Sequence, residues 1–376
     1  MNKIYFRNTK EWKNVKSICG IKGKIIKKSF ELTEANPDGL YELDFDNEKF
    51  DYIYFSGGVG KRTGKVYPGD LSLCVEYKYN ENKKEDLTYL FLNTNSKSGT
   101  VENYTLSDEK NLAYRKDKSK KISVFLPKDY DGKTKYDLLY FFDAQNLFCN
   151  SGDYTTNGDP YGSWQVDIVL DEIYKQYGKK IIVVGIDNAD EYRSHELFMD
   201  HNKFGKLSPI ATAIPDDDFS KGYLDGLSDF MTSTLHTFIK EKYNVNEENI
   251  GIGGSSMGGI AAFYCGLKEP GFYKYVLSYS PAFGLYDMSA FDNYFAGREF
   301  VNNKDLLPKM HIYCGGGDML ERMLLPSAKG MKKLLVKHGY SKDKIFETYD
   351  MLKPHNEESW RLVLPESFSL LLNMLG

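Results

Sequence analysis

The hydrophobic positions of this chain follow two different patterns along its length. Residues 1–95 alternate apolar and polar positions in short bursts, such as "LYELDFD" and "DYIYFSG", which Gly, Asn and Pro separate. Because no long helical period appears among them, this pattern predicts a small antiparallel β-sandwich. The polar stretch 96–111 predicts a linker, and residues 112–376 then form a second domain.

The second domain alternates apolar runs with longer amphipathic segments. Runs such as "DLLYFFD", "KIIVVGID", "NIGIGG" and "MHIYCGG" are typical of buried strands. In one of the segments between them, five apolar residues recur at steps of three and four, which predicts a helix with one apolar face: Leu224, Leu227, Met231, Leu235 and Phe238. Strands alternating with helices predict an α/β fold, with a mostly parallel sheet that helices cover on both faces.

Composition narrows the classes of partner. A length of 376 residues with 41% hydrophobic content suggests two domains, and a net charge of −4 gives no reason to expect nucleic acid. The five cysteines include no C-x-x-C pair, so we expect no disulfide framework, metal site or other cofactor. No apolar stretch is long enough to span a membrane, and "MNKIYFRN" is not a signal peptide. We therefore expect a cytoplasmic protein, or a secreted one if a leader has been removed.

One short stretch, "IGIGGSSMGGIAAFY" at 250–264, carries the clearest candidate chemistry. Its centre, residues 254–258, fits G-x-S-x-G with Ser256 in the middle, between a predicted strand and a predicted helix. This motif forms a strained turn that raises one hydroxyl above a parallel sheet, where bulky neighbours would collide with the crossing backbone. Small residues also serve close packing of a strand against a helix, so the motif needs partners elsewhere in the chain. Ser255 is one residue too early for the turn.

Candidate partners follow the later strands, at the sheet edge where α/β active sites form. Asp318 comes after "MHIYCGG", with Glu321 three residues later, and His355 comes after "IFETYD". Ser, Asp and His in this order match the chain order of an α/β-hydrolase triad, in which a carboxylate orients the imidazole that activates the serine. Asp318 could instead only cap the following helix, and Glu321 could take its role. Either carboxylate can orient an imidazole, and we favour Asp318.

The reaction also needs donors for the oxyanion. In the α/β-hydrolase arrangement one donor is the backbone N–H of the residue after the nucleophile, here Met257, and the other comes from a loop after an earlier strand. That loop follows "FFD", so Ala144 or Gln145 is expected to supply the second donor. Trp164 and Phe283 are expected to line the substrate pocket.

Residues from about 111 to 376 resemble the putative esterase family of α/β-hydrolases, the group that includes esterase D, feruloyl and acetyl-xylan esterases and ferric enterobactin esterase. The resemblance lies in "YDLLYFFDAQNLF", "IIVVGIDNADEYRSHEL", "GIGGSSMGGIAAFY", "YVLSYSPAF", "YCGGGDMLE" and "PHNEESWRLVLP", which occur in the family's order. By position, it implies Ser256 as nucleophile, Asp318 as acid and His355 as base. Ala144 stands where many members carry glycine.

The first 95 residues resemble, more loosely, starch-binding modules of carbohydrate-binding families 25 and 26. The similarity lies in "IYFRNTKEWKNV" and "YDYIYFSGGVGKRTG". Such modules stack sugars on aromatic rings, but Ile18 and Gly20 stand where they usually carry two aromatics, and Trp12 remains as a single candidate ring. We therefore expect the sandwich fold with weak glucan binding or none.

Together these patterns predict a metal-independent serine esterase that hydrolyses a small or carbohydrate-linked carboxylic ester through an acyl-enzyme on Ser256. The alternative is a catalytically idle protein that keeps a hydrolase fold for a glycan-binding or scaffolding role.

Overall fold

The computed structural model of the protein describes most of the chain from residue 3 to residue 371. The described ranges are 3–8, 11–21, 27–31, 40–44, 52–59, 61–63, 73–80, 83–91, 99–148, 163–188, 192–212, 221–298, 300 and 302–371. The chain divides into two compact units. One comprises Met1–Ser96 with Glu172–Gln176, and the other comprises Lys97–Asp171 with Tyr177–Gly376.

The first unit contains two four-stranded sheets. Its strands are β1 (Lys3–Arg7), β2 (Lys16–Gly20), β3 (Lys27–Glu31), β4 (Leu40–Asp44), β5 (Tyr52–Gly58), β6 (Lys61–Arg62), β7 (Leu73–Asn80) and β8 (Lys83–Phe91). The sheet orders are β4-β1-β7-β8 and β3-β2-β5-β6. The predicted small β domain is confirmed with one correction. β1 and β7 pair in parallel, so the first sheet is mixed rather than purely antiparallel.

Aromatic rings hold the core of this unit. Phe6 of β1 stacks on Phe55 of β5 with ring centroids 4.7 Å apart, so the two sheets meet there. Trp12 lies 5.7 Å from Phe6 and is buried. A Cβ on Gly57 would come within 2.4 Å of the Trp12 Cβ, so the glycine leaves room for the indole. Trp12 is therefore a core residue, and its ring is not free to stack on a sugar.

The second unit is built on an eight-stranded sheet. Its strands are β9 (Gly99–Ser107), β10 (Ser119–Pro127), β11 (Tyr136–Phe142), β12 (Ile181–Ile186), β13 (Val245–Ser255), β14 (Tyr275–Tyr279), β15 (Lys309–Gly315) and β16 (Ile345–Asp350). Their order is β16-β15-β14-β13-β11-β12-β10-β9, in which β10 runs antiparallel to both of its neighbours and the other pairs are parallel. This is the predicted α/β-hydrolase sheet.

Strand β9 corrects the prediction of a linker at 96–111. It pairs with β10 along its whole length and forms the sheet edge, where one face is open to solvent. Asn103, Thr105 and Ser107 lie on the exposed face, so the strand has a polar composition that is typical of a loop. An edge strand buries only half of its side chains, which weakens its hydrophobic signal.

Helices cover this sheet. They are α1 (Val166–Tyr177), α2 (Arg193–Glu196), α3 (His201–Phe204), α4 (Pro209–Thr212), α5 (Leu224–Phe230), α6 (His236–Lys242), α7 (Met257–Lys268), α8 (Met288–Ala296), α9 (Met319–Lys337) and α10 (Glu357–Leu371). A π-helical turn at Met231–Leu235 joins α5 to α6. Of the five apolar residues that predicted this helix, Phe238 is partly buried, and the other four are fully buried: Leu224, Leu227, Met231 and Leu235.

Candidate active site

Ser256 occupies the turn between β13 and α7. Its backbone has φ 55° and ψ −117°, a conformation that non-glycine residues rarely adopt. The turn is held on both sides, because the Ser256 N–H donates to the Tyr279 carbonyl at 2.9 Å and the Ser256 carbonyl accepts from the Ala282 N–H at 3.0 Å. Such a strained turn at the carboxyl end of a central strand presents a side chain above the sheet. Ser255, in contrast, is buried.

The glycines on either side of Ser256 are required by close packing. A Cβ on Gly254 would lie 2.4 Å from the Gly258 carbonyl oxygen, and a Cβ on Gly258 would lie 2.9 Å from an oxygen of Asp143. Both distances are shorter than a side chain tolerates, so the turn could not close with larger residues at these positions. The small residues of the motif therefore serve the turn itself as well as the packing of strand against helix.

His355 lies in the loop between β16 and α10. Its Nδ1 is 3.0 Å from Oε1 of Glu321, and its side chain is 11% exposed. The Trp360 ring meets the imidazole edge to face, with centroids 4.9 Å apart. His195, on α2, has its Nδ1 beside a backbone carbonyl instead, 3.1 Å from the Lys221 oxygen. With Nδ1 held by a carboxylate, the imidazole of His355 has its other nitrogen, Nε2, available to a reacting group.

The ring of His355 contacts Glu321 and not Asp318, which corrects the expected pairing. Asp318 is the N-cap of α9, where Oδ1 accepts the Glu321 N–H at 2.8 Å and Oδ2 accepts the His355 backbone N–H at 2.7 Å. The Asp318 carboxylate thus holds the backbone of the histidine loop. An Asp three residues before a Glu at the start of a helix is a capping pattern, so the sequence also carried a signal for the capping role of Asp318.

Glu321 is fully buried and accepts hydrogen bonds on both oxygens. Oε1 faces His355 and the hydroxyl of Ser280, while Oε2 accepts from Cys314 Sγ at 3.0 Å and from the Gly315 N–H at 2.8 Å. Burial alone raises the pKa of the Glu321 carboxyl, but the hydrogen bonds from His355 and Ser280 outweigh it and hold this pKa below its ordinary value. Glu321 is therefore an ionised buried acceptor beside the imidazole.

Three consecutive glycines after β15 let the histidine loop pass close to Glu321. A Cβ on Gly315 would lie 2.2 Å from the Lys353 carbonyl oxygen, and one on Gly317 would lie 2.6 Å from the Leu352 carbonyl oxygen. The N–H groups of Gly316 and Gly317 both donate to the Lys353 carbonyl, at 3.2 and 2.9 Å. The run "GGG" at 315–317 is thus the sequence signal that could have predicted the close approach of another backbone segment here.

The expected oxyanion residues lie on two elements. Met257 is the first residue of α7, and Ala144 and Gln145 belong to a 3-10 turn that follows Asp143 at the end of β11, the strand beside β13. Ala144 is buried, and a Cβ on Gly185 would come within 2.7 Å of its methyl group. Gln145 Oε1 accepts the Asn188 N–H at 3.2 Å, which ties the turn to the end of β12. That these residues bind an oxyanion stays a prediction.

Asp143 and Arg193 form an ion pair beside this turn that sequence reasoning missed. Arg193 Nε and Nη2 donate to the two oxygens of Asp143 at 2.6 and 2.8 Å, and the Asn188 amide adds a bond at 3.2 Å. Glu196, on the same short helix as Arg193, is buried and ion-paired with the buried Lys120. The pair holds Asp143 in its left-handed conformation, φ 60°, immediately before Ala144.

Trp164 and Phe283, expected in the substrate pocket, are packed among other rings. Trp164 is 1% exposed and stacks on Trp360 at 5.4 Å, so it supports the ring that meets His355. Phe283 is 0% exposed and meets the edge of Phe263 at 4.8 Å. Both side chains belong to the interior of the unit, and their role toward a substrate stays a prediction.

The described residues contain neither a metal-ligand cluster nor a membrane-spanning helix. In the described ranges, no group of three or more His, Cys, Asp and Glu side chains is arranged to hold a metal ion. Among the helices that the structure describes, none combines the length and the apolar character needed to cross a membrane.

Comparisons with known proteins agree with the fold. Residues 115–370 match the family described as "Putative esterase". An IroE-like serine hydrolase from Shewanella oneidensis is 14% identical with a TM-score of 0.54, covering 71% of this chain and 78% of its own. The siderophore hydrolase EstA from Aspergillus nidulans is 14% identical with a TM-score of 0.50, covering 73% and 93%. The BES protein from Bacillus cereus is 13% identical with a TM-score of 0.50, covering 72% and 94%. A comparison with curated proteins found no match.

Proposed function

Because this chain belongs to the putative esterase family, we propose that it hydrolyses a carboxylic ester through an acyl-enzyme on Ser256. The observation that carries the proposal is the strained turn at Ser256 in the same unit as the His355–Glu321 pair. Hydrolases on unrelated folds combine a nucleophile, an imidazole and a carboxylate in this way.

The proposed reaction has two halves. His355 Nε2 removes the Ser256 proton as Oγ attacks the ester carbonyl, and the imidazolium then gives that proton to the departing alcohol. Water next attacks the acyl-enzyme, loses its proton to the same nitrogen and releases the acid, with Ser256 reprotonated. Glu321 keeps the Nδ1 proton on the inner side of the ring and stabilises the imidazolium in both halves.

The negative charge that develops on the carbonyl oxygen needs donors. The Met257 N–H, at the start of α7, is proposed as one, and the N–H of Gln145 or Ala144 as the other. The ion pair of Asp143 with Arg193 supports this part of the proposal, because it holds the residue immediately before Ala144.

For the substrate we propose a small or carbohydrate-linked carboxylic ester. A solved structure with the same fold is named as a siderophore hydrolase, which fits a small-molecule ester. At this level of identity the likeness concerns the fold, so the acyl and alcohol groups have to come from experiment.

The test compares the two adjacent serines. Ser256→Ala is expected to remove p-nitrophenyl acetate hydrolysis, since loss of a triad nucleophile costs on the order of a millionfold in turnover. It is also expected to remove labelling by a fluorophosphonate probe, whereas Ser255→Ala, the matched control, keeps both. Label on Ser255 would contradict the assignment. A folded wild-type protein that neither turns over a panel of acetyl, butyryl and feruloyl esters nor takes up label would favour the idle-scaffold alternative.

A further inference from the structure

A buried serine that is not part of the proposed triad contacts its carboxylate. Ser280 follows β14, is 0% exposed and has φ 41°, in the left-handed region. Its N–H donates to the Tyr313 carbonyl at 2.6 Å, which fixes the backbone. Its hydroxyl donates to Oε1 of Glu321, the same oxygen that faces His355.

Trp360 completes a chain of hydrogen bonds to this hydroxyl. Its Nε1–H donates to Ser280 Oγ at 2.8 Å, and its buried ring meets His355 edge to face. An indole N–H can only donate, so Ser280 must accept from it and turn its own proton elsewhere. The proton therefore points to Glu321, and the direction of the chain is determined without a choice of tautomer.

We propose that Ser280 and Trp360 are positioning residues, which hold the Glu321 carboxylate in the one orientation that receives the Nδ1 proton of His355. This inference rests on the proposed function. Cys314 and Gly315 hold Oε2 separately, so loss of Ser280 leaves that end of the carboxylate anchored. Oε1 loses one of its two donors, and the carboxylate can then pivot about Oε2 away from the imidazole. Networks of this kind are coupled, since each bond polarises the next.

The experiment is a double-mutant cycle on full-length protein. Ser280→Ala removes the donor to Glu321, and Trp360→Phe removes the indole N–H but keeps an aromatic ring beside His355. Ser327→Ala is the control, because Ser327 is also a buried serine and donates only to the Leu324 carbonyl within α9. For each variant, kcat is expressed per site labelled to completion by fluorophosphonate, which removes the effect of a misfolded fraction.

We expect Ser280→Ala to lower kcat about tenfold to a hundredfold with KM unchanged, the loss typical of a hydrogen bond to a charged group. Trp360→Phe should lower kcat by roughly threefold to tenfold, as for a bond between neutral groups. The double variant should be no slower than Ser280→Ala, because Trp360 acts through Ser280.

Two outcomes would overturn the proposal that Trp360 and Ser280 orient Glu321. The first is a kcat for Ser280→Ala equal to that of Ser327→Ala. The second is a double variant in which the two losses of kcat multiply, which would mean that Trp360 acts through its ring alone. If Ser280→Ala does not fold, Trp360→Phe decides, and an unchanged kcat there rejects the proposal. Failure of the proposed function is distinguishable, since wild type would then show neither turnover nor label on Ser256.

Discussion

Replacing Glu321 by glutamine tests which carboxylate serves His355. Four donors meet the two oxygens of Glu321: His355 Nδ1 and the Ser280 hydroxyl at Oε1, and Cys314 Sγ and the Gly315 N–H at Oε2. An amide offers only one acceptor oxygen. Whichever way it turns, its NH2 group faces two groups that donate to the carboxylate in the wild-type protein, so Glu321→Gln cannot keep all four hydrogen bonds.

The two orientations of the amide have different costs. If its NH2 faces His355, the imidazole is forced into the wrong tautomer, a change worth roughly 10⁴ in turnover for serine proteases. If its oxygen faces His355, the NH2 meets the Gly315 N–H, and leaving buried donors unpaired costs about 1–3 kcal/mol of stability. We expect the orientation with the NH2 group toward His355 to determine the rate, so kcat/KM should fall by about three to four orders of magnitude.

Asp318→Asn is the matched comparison. Asp318 accepts two backbone N–H groups, from Glu321 and His355, and an amide keeps one of these bonds. The histidine loop then loses one anchor, which should lower kcat/KM by about tenfold to a hundredfold. Both variants are assayed unlabelled with p-nitrophenyl acetate, at equal concentrations of reactive Ser256 as counted by fluorophosphonate labelling of separate aliquots. If Asp318→Asn is the slower enzyme, the assignment of Glu321 to His355 is refuted.

Three further predictions concern the turn, a buried histidine and the first unit. Gly254→Ala should lower the free energy of unfolding by about 1–3 kcal/mol, because its Cβ would lie 2.4 Å from the Gly258 carbonyl oxygen; Gly297→Ala, whose Cβ has 3.6 Å of clearance, should match wild type in thermal denaturation. Burial lowers the pKa of His311 to about 4, while the pKa of the unfolded chain is about 6.5. The unfolded chain therefore binds a proton at His311 first as the pH drops, and the free energy of unfolding should fall between these two pH values by up to about 3 kcal/mol. His311→Gln should flatten this dependence in urea titrations at pH 4.5 and 7, and an unchanged slope would contradict it. In calorimetry of the full-length protein with maltoheptaose, we expect an affinity of about 1 mM or weaker, because Trp12 is buried and the Tyr52 ring covers Gly20; a low-micromolar constant would contradict this.

Much of the sheet and the turn of Ser256 could be predicted because their signals are local. The period of apolar residues separates a strand from a helix within one segment, as at Leu224–Leu235, where all four apolar residues are buried. G-x-S-x-G gathers its steric requirements into five consecutive residues, and the clearances at Gly254 and Gly258 explain them. The edge strand β9 escaped prediction because solvent on one face lets its composition resemble that of a loop.

Which carboxylate contacts the imidazole of His355 could not be predicted from a local pattern. Asp318 and Glu321 both follow β15 and lie only three residues apart, so sequence position does not decide between them. The first turn of α9 decides it in space: Asp318 at the cap is used by two backbone N–H groups, while Glu321, three residues on, points into the interior and reaches the imidazole.

The sequence by itself thus determined the order of strands and helices and the place of the strained turn at Ser256, since both depend on neighbours along the chain. Only the tertiary structure decided which side chains meet. The Asp143–Arg193 pair and the bonds from Trp360 through Ser280 to Glu321 join residues that are 50, 80 and 41 positions apart. Hydrogen bonds have a short reach and a strict direction, so such contacts depend on how the strands and helices pack, and no local pattern encodes them.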